Sequence, residues 1–281
     1  MEEAKASRTA LSVAIRRASH QIYDSRPLVL EDPIAVPILG ERYRPVLEEA
    51  AASINDRYSL SMRAWLVARS RYAEEKLAQA VGRGARQYVL LGAGLDTFAH
   101  RNPHPGLHVF EVDHPATQQW KRELLAASGL PELSTLRYVP VDFERQSLRR
   151  QLEISGLDFA SATVFAWLGV VLYLTHPAFR ATVEMIAAFP PGSAVVFDYA
   201  LPRHALPPEE HAARDLLSAR VESIGEPFQL FFTPQEIAAE LKAFSILEDM
   251  DSKQLNTLYF SNRGDKLGLA GRSANIMSAW R

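Results

Sequence analysis

The feature that most narrows the fold is a series of strand-length apolar runs, each followed by a stretch with helical spacing. They are YVLL at 88–91, HVFEVD at 108–113, LRYVPVD at 136–142, the first half of ATVFAWLGVVLYL from 162, and PPGSAVVFDYAL from 190. A helix-length crossover between two strands brings the chain back in the same direction, so such strands pair in parallel. A parallel sheet must be covered on both faces, which makes the expected class α/β.

The flanks complete the outline. Over 8–24, Leu11, Ala14, Ile15, Ala18 and Ile22 recur at helical spacing, and prolines 27, 33 and 37 then punctuate a loop or short turns. A second helix is predicted over 56–81, before GRGA breaks it. Pro115 opens a helix running through 125, Thr175 caps another, 207–224 forms an inserted helix, and Thr233 caps a further one. FSILEDM at 244–250, with a last partner near 255–260 or 272–279, closes the sheet. A chain of 281 residues in this class buries a large core as one domain. Within it, 1–85 reads as an N-terminal helical cap and 86–281 as the core, with the inserted helix in a lid at about 200–232.

Composition removes several functions. Thirty-one basic residues stand against 33 acidic ones, a net charge of −2, which gives no electrostatic reason to expect a nucleic-acid partner, and a small-molecule partner is expected. There is no cysteine, which excludes disulfides, thiolate nucleophiles and cysteine-ligated metals. No stretch approaches the roughly 20 apolar residues of a membrane span, and the opening residues lack the apolar core of a signal peptide. The expectation is a soluble, cytoplasmic protein. No metal-ligand spacing of the H-x-x-x-H kind appears, so no metal is expected.

The chemistry concentrates at the strand tips. In YVLLGAGLDTFAHR, Gly92 and Gly94 follow the first strand, where an open α/β sheet holds its ligand and where glycine lets a ligand approach the backbone. A dinucleotide fingerprint would place a third glycine at 97, which is threonine, so no pyrophosphate cradle is signalled. By itself the glycine pair is equally a tight strand-to-helix turn. Asp113, at the tip of the next strand, has the position and the chemistry to accept two ribose hydroxyls. Glu111 shares its face, so either acid could serve, with Asp113 preferred at the strand tip. Asp142 and Phe143, after the third strand, could hold an adenine by its amino group and its face.

With these residues in view, QYVLLGAGLDTFAHR, VFEVDHPATQQWKRELL, YVPVDFER, WLGVVLYLT and GEPFQLFFTPQEIAAELKAF occur in the order found in the leucine carboxyl methyltransferase-like family, which the chain resembles over most of its length. That resemblance implies a Rossmann-like class I methyltransferase with a seven-stranded, mostly parallel sheet, one antiparallel strand, and S-adenosyl-L-methionine as cofactor. Carried over residue by residue, Gly92, with Ala93 and Gly94, lies beside the methionine moiety of the cofactor. Asp113 meets the ribose, and Asp142 and Phe143 meet the adenine. An arginine on the helix before the first strand meets the cofactor carboxylate. In MRAWLVARSRYAEE the best match is Arg69, with Arg63 the runner-up; the alternative for each is a solvated helix face.

One departure stands out. Where the family commonly carries a glutamate after the fourth strand, this chain has Leu168, which cannot accept a hydrogen bond. Asp96 is a candidate to take over at the cofactor, and Asp198, at the end of the fifth strand, is either near the pocket or a turn cap. The implied reaction is methyl transfer to a carboxylate or phenolic oxygen of a small molecule, an O-methyltransferase. A carboxylate needs no base, whereas a phenol would. His100, His114, His176 and His204 lie near loop ends, but none has a partner that singles it out as a base. Tyr23, Tyr58, Trp65, Tyr199, Phe228, Phe231 and Phe232 could form an apolar acceptor pocket or belong to the core. Two rival readings are a non-catalytic cofactor-binding homologue, suggested by Leu168, and an NAD-dependent oxidoreductase, which Thr97 and the lack of a proton donor argue against.

Overall fold

A computed structural model describes residues 8–142, 146–222 and 227–281. The chain opens with α1 (Arg8–Tyr23), two 3₁₀ turns at Pro37–Leu39 and Glu41–Tyr43, and α2 (Arg44–Ala51). Next comes α3 (Arg57–Gly82), whose N-cap Asp56 accepts from the Ser59 amide at 2.7 Å. The alternating part follows: β1 (Gln87–Leu91), α4 (Phe98–Arg101), β2 (His108–Asp113), α5 (Pro115–Ala127), β3 (Leu136–Pro140), α6 (Leu148–Ile154), β4 (Thr163–Trp167), α7 (His176–Ala187) and β5 (Ala194–Ala200). The remainder is α8 (Pro208–Glu222), α9 (Pro234–Glu240), β6 (Ile246–Met250), α10 (Ser252–Tyr259) and β7 (Ala274–Trp280).

Among the described residues these strands form one seven-stranded sheet in the order β3-β2-β1-β4-β5-β7-β6. Pairings from β3 through β5 are parallel, and β7 runs antiparallel to both neighbours. Strand order reverses between β1 and β4, so a crevice opens beyond their carboxyl ends. The final strand lies at 274–280, while 255–260 falls mostly in α10, capped by Asp251; a helix therefore stands between β6 and β7 where a direct hairpin was one expectation. The third strand stops at Pro140, one further bond running from the Val141 amide to the Asp113 carbonyl, and Asp142 lies in the loop that follows.

Alternating side chains feed two cores. Val89, Leu91, Phe110, Val112, Phe165 and Phe197 face α6, α7 and α9, whereas Tyr88, Leu90, Val109, Val164 and Val196 face α3, α4 and α10. On the second side, α1 is attached through Ala14 and Ala18 to Leu124 and Leu125 of α5.

A buried polar network fixes α1 in place. Arg17 is 4% exposed and donates to Asp32 at 2.6 Å, Asp96 at 2.8 Å and Thr97 at 3.0 Å. Thr97 in turn donates to Asp32 at 2.6 Å, and Arg101 reaches Thr97 and the Glu74 carboxylate. Thus α1, α3, the loop at 32 and the segment following β1 share one set of charges. Burial opposes ionisation of Asp96, but Arg17 and Arg101 outweigh it and hold the carboxyl at about 2.

Removing Arg17 strands two buried acids. Arg17→Met is expected to cost about 3–5 kcal/mol in urea unfolding, and a loss under about 1 kcal/mol would show that the network does not hold α1. Because Asp96 is more acidic in the folded state than its ordinary 3.8, its contribution is complete above about pH 4 and is lost as the pH falls toward 2. The stability gap between wild type and Asp96→Asn should close over that window.

Candidate active site

The first wall of the crevice is the turn after β1. The amides of Gly92 and Ala93 both donate to the Val112 carbonyl, at 2.9 and 3.0 Å, which ties the turn to β2. Gly92 has φ +71° and Gly94 φ +51°, left-handed values that favour glycine. Space matters as well. A Cβ on Gly92 would come within 2.4 Å of Val170 Cγ2, and one on Gly94 within 3.2 Å of Ala10 Cβ. The glycines therefore admit the turn after β4 on one side and α1 on the other, a close-packing role in addition to any approach by a ligand.

Asp113 ends β2 beside this turn. Its Oδ2 accepts from the Gly94 amide at 2.6 Å and its Oδ1 from the His114 amide at 2.7 Å. Burial raises its pKa, and the two amides offset only part of the rise. Each carboxylate oxygen has more than one acceptor site, so the geometry leaves capacity for hydroxyls while fixing the carboxylate's orientation. Glu111 is placed differently. It is 1% exposed, and its Oε2 takes the buried Lys121 ammonium at 2.5 Å. Of the two acids that spacing left open, Glu111 is tied to α5 and Asp113 faces the glycine turn. The Val141 amide donates to the Asp113 carbonyl at 2.9 Å, which brings half-buried Asp142 beside the β2 tip. Phe143 lies outside the described residues.

The two candidate arginines also separate. Arg63 is 1% exposed and fully employed: Nε and Nη2 grip Asp24 at 3.1 and 2.8 Å, and Nη1 donates to the Ile54 carbonyl at 2.6 Å. Arg69 lies at the other wall, with Nη1 on Asp198 Oδ2 at 3.0 Å. Among the described residues its Nη2 and Nε have no hydrogen-bond acceptor, so one edge of the guanidinium is open to a carboxylate.

Leu168 is half-buried and packs toward the α3 side of the sheet. The acid at this turn comes instead from β5. Asp198 Oδ1 accepts from the Gly169 amide while Oδ2 pairs with Arg69. A Cβ on Gly169, whose φ is +71°, would fall 2.8 Å from Arg69 Nη1, so this glycine lets the guanidinium pass. Asp198 is thus a cap, as one of its two sequence readings had it, and it also positions the arginine. Asp96 is engaged at both oxygens, by Arg17 at 2.8 Å and by the Phe98 amide at 2.7 Å, and so braces the turn.

The histidines near loop ends are employed elsewhere or lie in solvent. His114 caps α5 through the Ala116 amide, His100 meets the Pro131 carbonyl, His176 meets Glu240, and His204 is exposed. The aromatic set divides. Tyr199 and Phe232 belong to the core, Tyr23 and Tyr58 are exposed, Trp65 is half-buried, and Phe228 and Phe231 flank Arg214 on the α8 side. Two open cavities, of about 480 and 280 Å³, lie away from the crevice, the first near Arg57 and Lys266, the second between α1 and α3 near Ser12 and Arg63.

The fit to S-adenosylmethionine rests on donor chemistry. An oriented acid at the β2 tip suits a ribose diol, and a half-free buried guanidinium at the opposite wall suits an amino-acid carboxylate. The chain's relatives agree with this chemistry. Residues 10–187 match the leucine carboxyl methyltransferase family. A Bacillus subtilis (strain 168) protein provisionally named an S-adenosyl-L-methionine-dependent methyltransferase is 34% identical, covering 95% of each chain. A similarly named protein of Mycolicibacterium paratuberculosis is 32% identical over 74% of this chain and 69% of its own. In fold, the chain is similar to a crystal structure of a methyltransferase-like protein from Thermobifida fusca, with TM-score 0.56, 17% identity, and coverage of 87% and 92%. A DUF574 family protein from Streptomyces avermitilis gives TM-score 0.55 at 16% identity, covering 96% and 97%.

The tight passage between the two turns can be probed directly. Gly92→Ala is expected to lose about 1–3 kcal/mol of stability, from left-handed strain plus contact with Val170. Gly92→Ala with Val170→Ala should recover the contact part and keep the strain. Equal losses in the single and double variants would deny the close approach.

Proposed function

As a member of the leucine carboxyl methyltransferase family, this chain is an S-adenosylmethionine-dependent methyltransferase, and we propose that it methylates a carboxylate or phenolic oxygen of a small molecule. The observation that carries this reading is the pairing of Asp113, oriented by the Gly94 and His114 amides, with Arg69, held by Asp198 across the same crevice. When bound, the cofactor supplies an electrophilic methyl on a sulfonium centre. Asp113 accepts the ribose hydroxyls, Arg69 takes the amino-acid carboxylate on its open edge, and Gly92, Ala93 and Gly94 bring backbone close to the methionine moiety. Asp142 borders the adenine. Asp96 acts through the turn it braces, and Leu168 contributes an apolar wall.

The chain's task is to orient the acceptor and keep water out, since such a transfer depends on positioning more than on a covalent enzyme intermediate. The employment of His100, His114 and His176 elsewhere supports an acceptor that is already ionised near neutral pH. Helices of the 1–85 segment and of 200–232 form the roof.

Calorimetric titration with S-adenosylhomocysteine tests the assignment. Asp113→Ala should weaken binding by about 1–3 kcal/mol, Arg69→Gln should weaken it comparably, and Arg63 variants should act through stability. Binding of NAD in preference to the thioether, or unchanged affinity in Asp113→Ala, would contradict it. A screen of carboxylic acids and phenols with methyl-labelled cofactor should label an oxygen; persistent silence with intact cofactor binding would favour a non-catalytic homologue.

A further inference from the structure

Four arginines are buried among the described residues, and three of them hold an aspartate: Arg17 with Asp32 at 2.6 Å, Arg63 with Asp24 at 2.8 Å, and Arg69 with Asp198 at 3.0 Å. The fourth, Arg214 on α8, is 8% exposed, yet no carboxylate or hydrogen-bond acceptor among the described residues meets it. Its sequence neighbour Asp215 is taken by Arg203, at 3.1 Å to Oδ1 and 3.2 Å to Oδ2. What surrounds Arg214 is aromatic: its guanidinium carbon lies 4.5 Å from the Phe231 ring centre and 5.5 Å from that of Phe228. Burial depresses its pKa, and the nearby Asp215 charge offsets this only in part. Ring faces offset part of that cost, but a desolvated guanidinium retains a strong preference for a bidentate anion.

The position of this cation relates it to the crevice. Phe228 packs on Tyr173 with ring centres 5.5 Å apart. The amides of Gln229 and Leu230 donate to the Leu172 carbonyl at 2.8 and 3.3 Å, which seats the segment after α8 on the turn that follows β4. In that same turn the Tyr173 amide bonds the Val170 carbonyl at 2.9 Å, and Val170 lies directly over Gly92. Phe228, Phe231, Leu172 and Tyr173 are all half-exposed, an apolar surround for a positive charge that no described carboxylate pairs. Such a setting recognises a molecule with an apolar body and an anionic end.

We infer that Arg214 anchors a carboxylate of the methyl acceptor, with Phe228, Phe231 and Tyr173 packing its apolar body. This rests on the methyltransferase reading and sharpens it: the acceptor is an apolar organic acid, and α8 carries the residue that selects it.

The test measures binding to the full chain saturated with S-adenosylhomocysteine, by calorimetry or saturation-transfer NMR. The probes are phenylacetate, indole-3-acetate and hexanoate, each against its neutral amide, with phenyl phosphate as an alternative anion. At least one acid should bind ten-fold or more tighter than its amide. That preference should vanish in Arg214→Gln and persist in weakened form in Arg214→Lys, with S-adenosylhomocysteine affinity unchanged in both. Acids and amides binding alike, or a preference that survives Arg214→Gln, would overturn the inference. Phenyl phosphate binding through Arg214 while all three acids fail would overturn the carboxylate assignment. If Arg214→Gln does not fold, judged by circular dichroism, the Arg214→Lys comparison decides. Failure of wild type to bind S-adenosylhomocysteine would instead count against the cofactor reading, and the acid-versus-amide comparison would still be readable without it.

Discussion

Charges removed from water must be answered by other charges, and in this protein that requirement converges on Arg17. One guanidinium joins Asp32, Asp96 and Thr97, and Arg101 extends the set to Glu74. A buried pair contributes little net stability compared with apolar packing, but breaking it is costly, which makes it a device for fixing register. Here the register is that of α1 on the turn after β1. With Asp96 held, the Gly92–Gly94 turn cannot drift from the β2 tip, and Ala10 comes to rest against Gly94. Asp113 inherits its orientation from the same turn. The ligand-facing geometry thus depends on a network whose members touch no proposed ligand and act through the turn that Asp96 braces.

The strands and their order of appearance were legible because each is a compact apolar run ended by glycine, proline or an acid. Asp113 was legible for a similar reason: a strand tip exposes an acid whose role follows from its place beside the glycine turn. Short helices were harder to see. α2, α4 and α6 span 8, 4 and 7 residues, too few for a periodic pattern to stand out. Arg17 gave no signal, since an arginine on an amphipathic helix reads as solvated until its partners, 15 and 79 residues away, are brought to it. For the same reason sequence only ranks Arg69 ahead of Arg63. Only the fold assigns one to Asp24 and the other to Asp198.

Gly92 is placed by sequence to let a ligand approach, but a side chain there would meet Val170 first, and Gly169 in turn admits the Arg69 guanidinium. Both glycines bear on the turn after β4, so that turn, Arg69 and Asp198 form one packed unit opposite Asp113. The family glutamate is replaced by Leu168 within this unit, while Asp198 arrives from the neighbouring strand to hold Gly169. The aspartate compensates structurally, by holding the backbone and the arginine. On the outer side of the same turn, the segment after α8 brings Arg214 and its aromatic neighbours, so one short turn connects the cofactor wall to the proposed acceptor wall.

As proposed, Asp113 and Arg69 grip opposite ends of one S-adenosylmethionine molecule. A crystal structure with S-adenosylhomocysteine measures it most directly. Expected are ribose hydroxyls on the Asp113 carboxylate, the amino-acid carboxylate on the free edge of Arg69, and the adenine beside Asp142. A thioether bound away from the β1–β4 crevice, or seated there with Asp113 and Arg69 both out of contact, would contradict it.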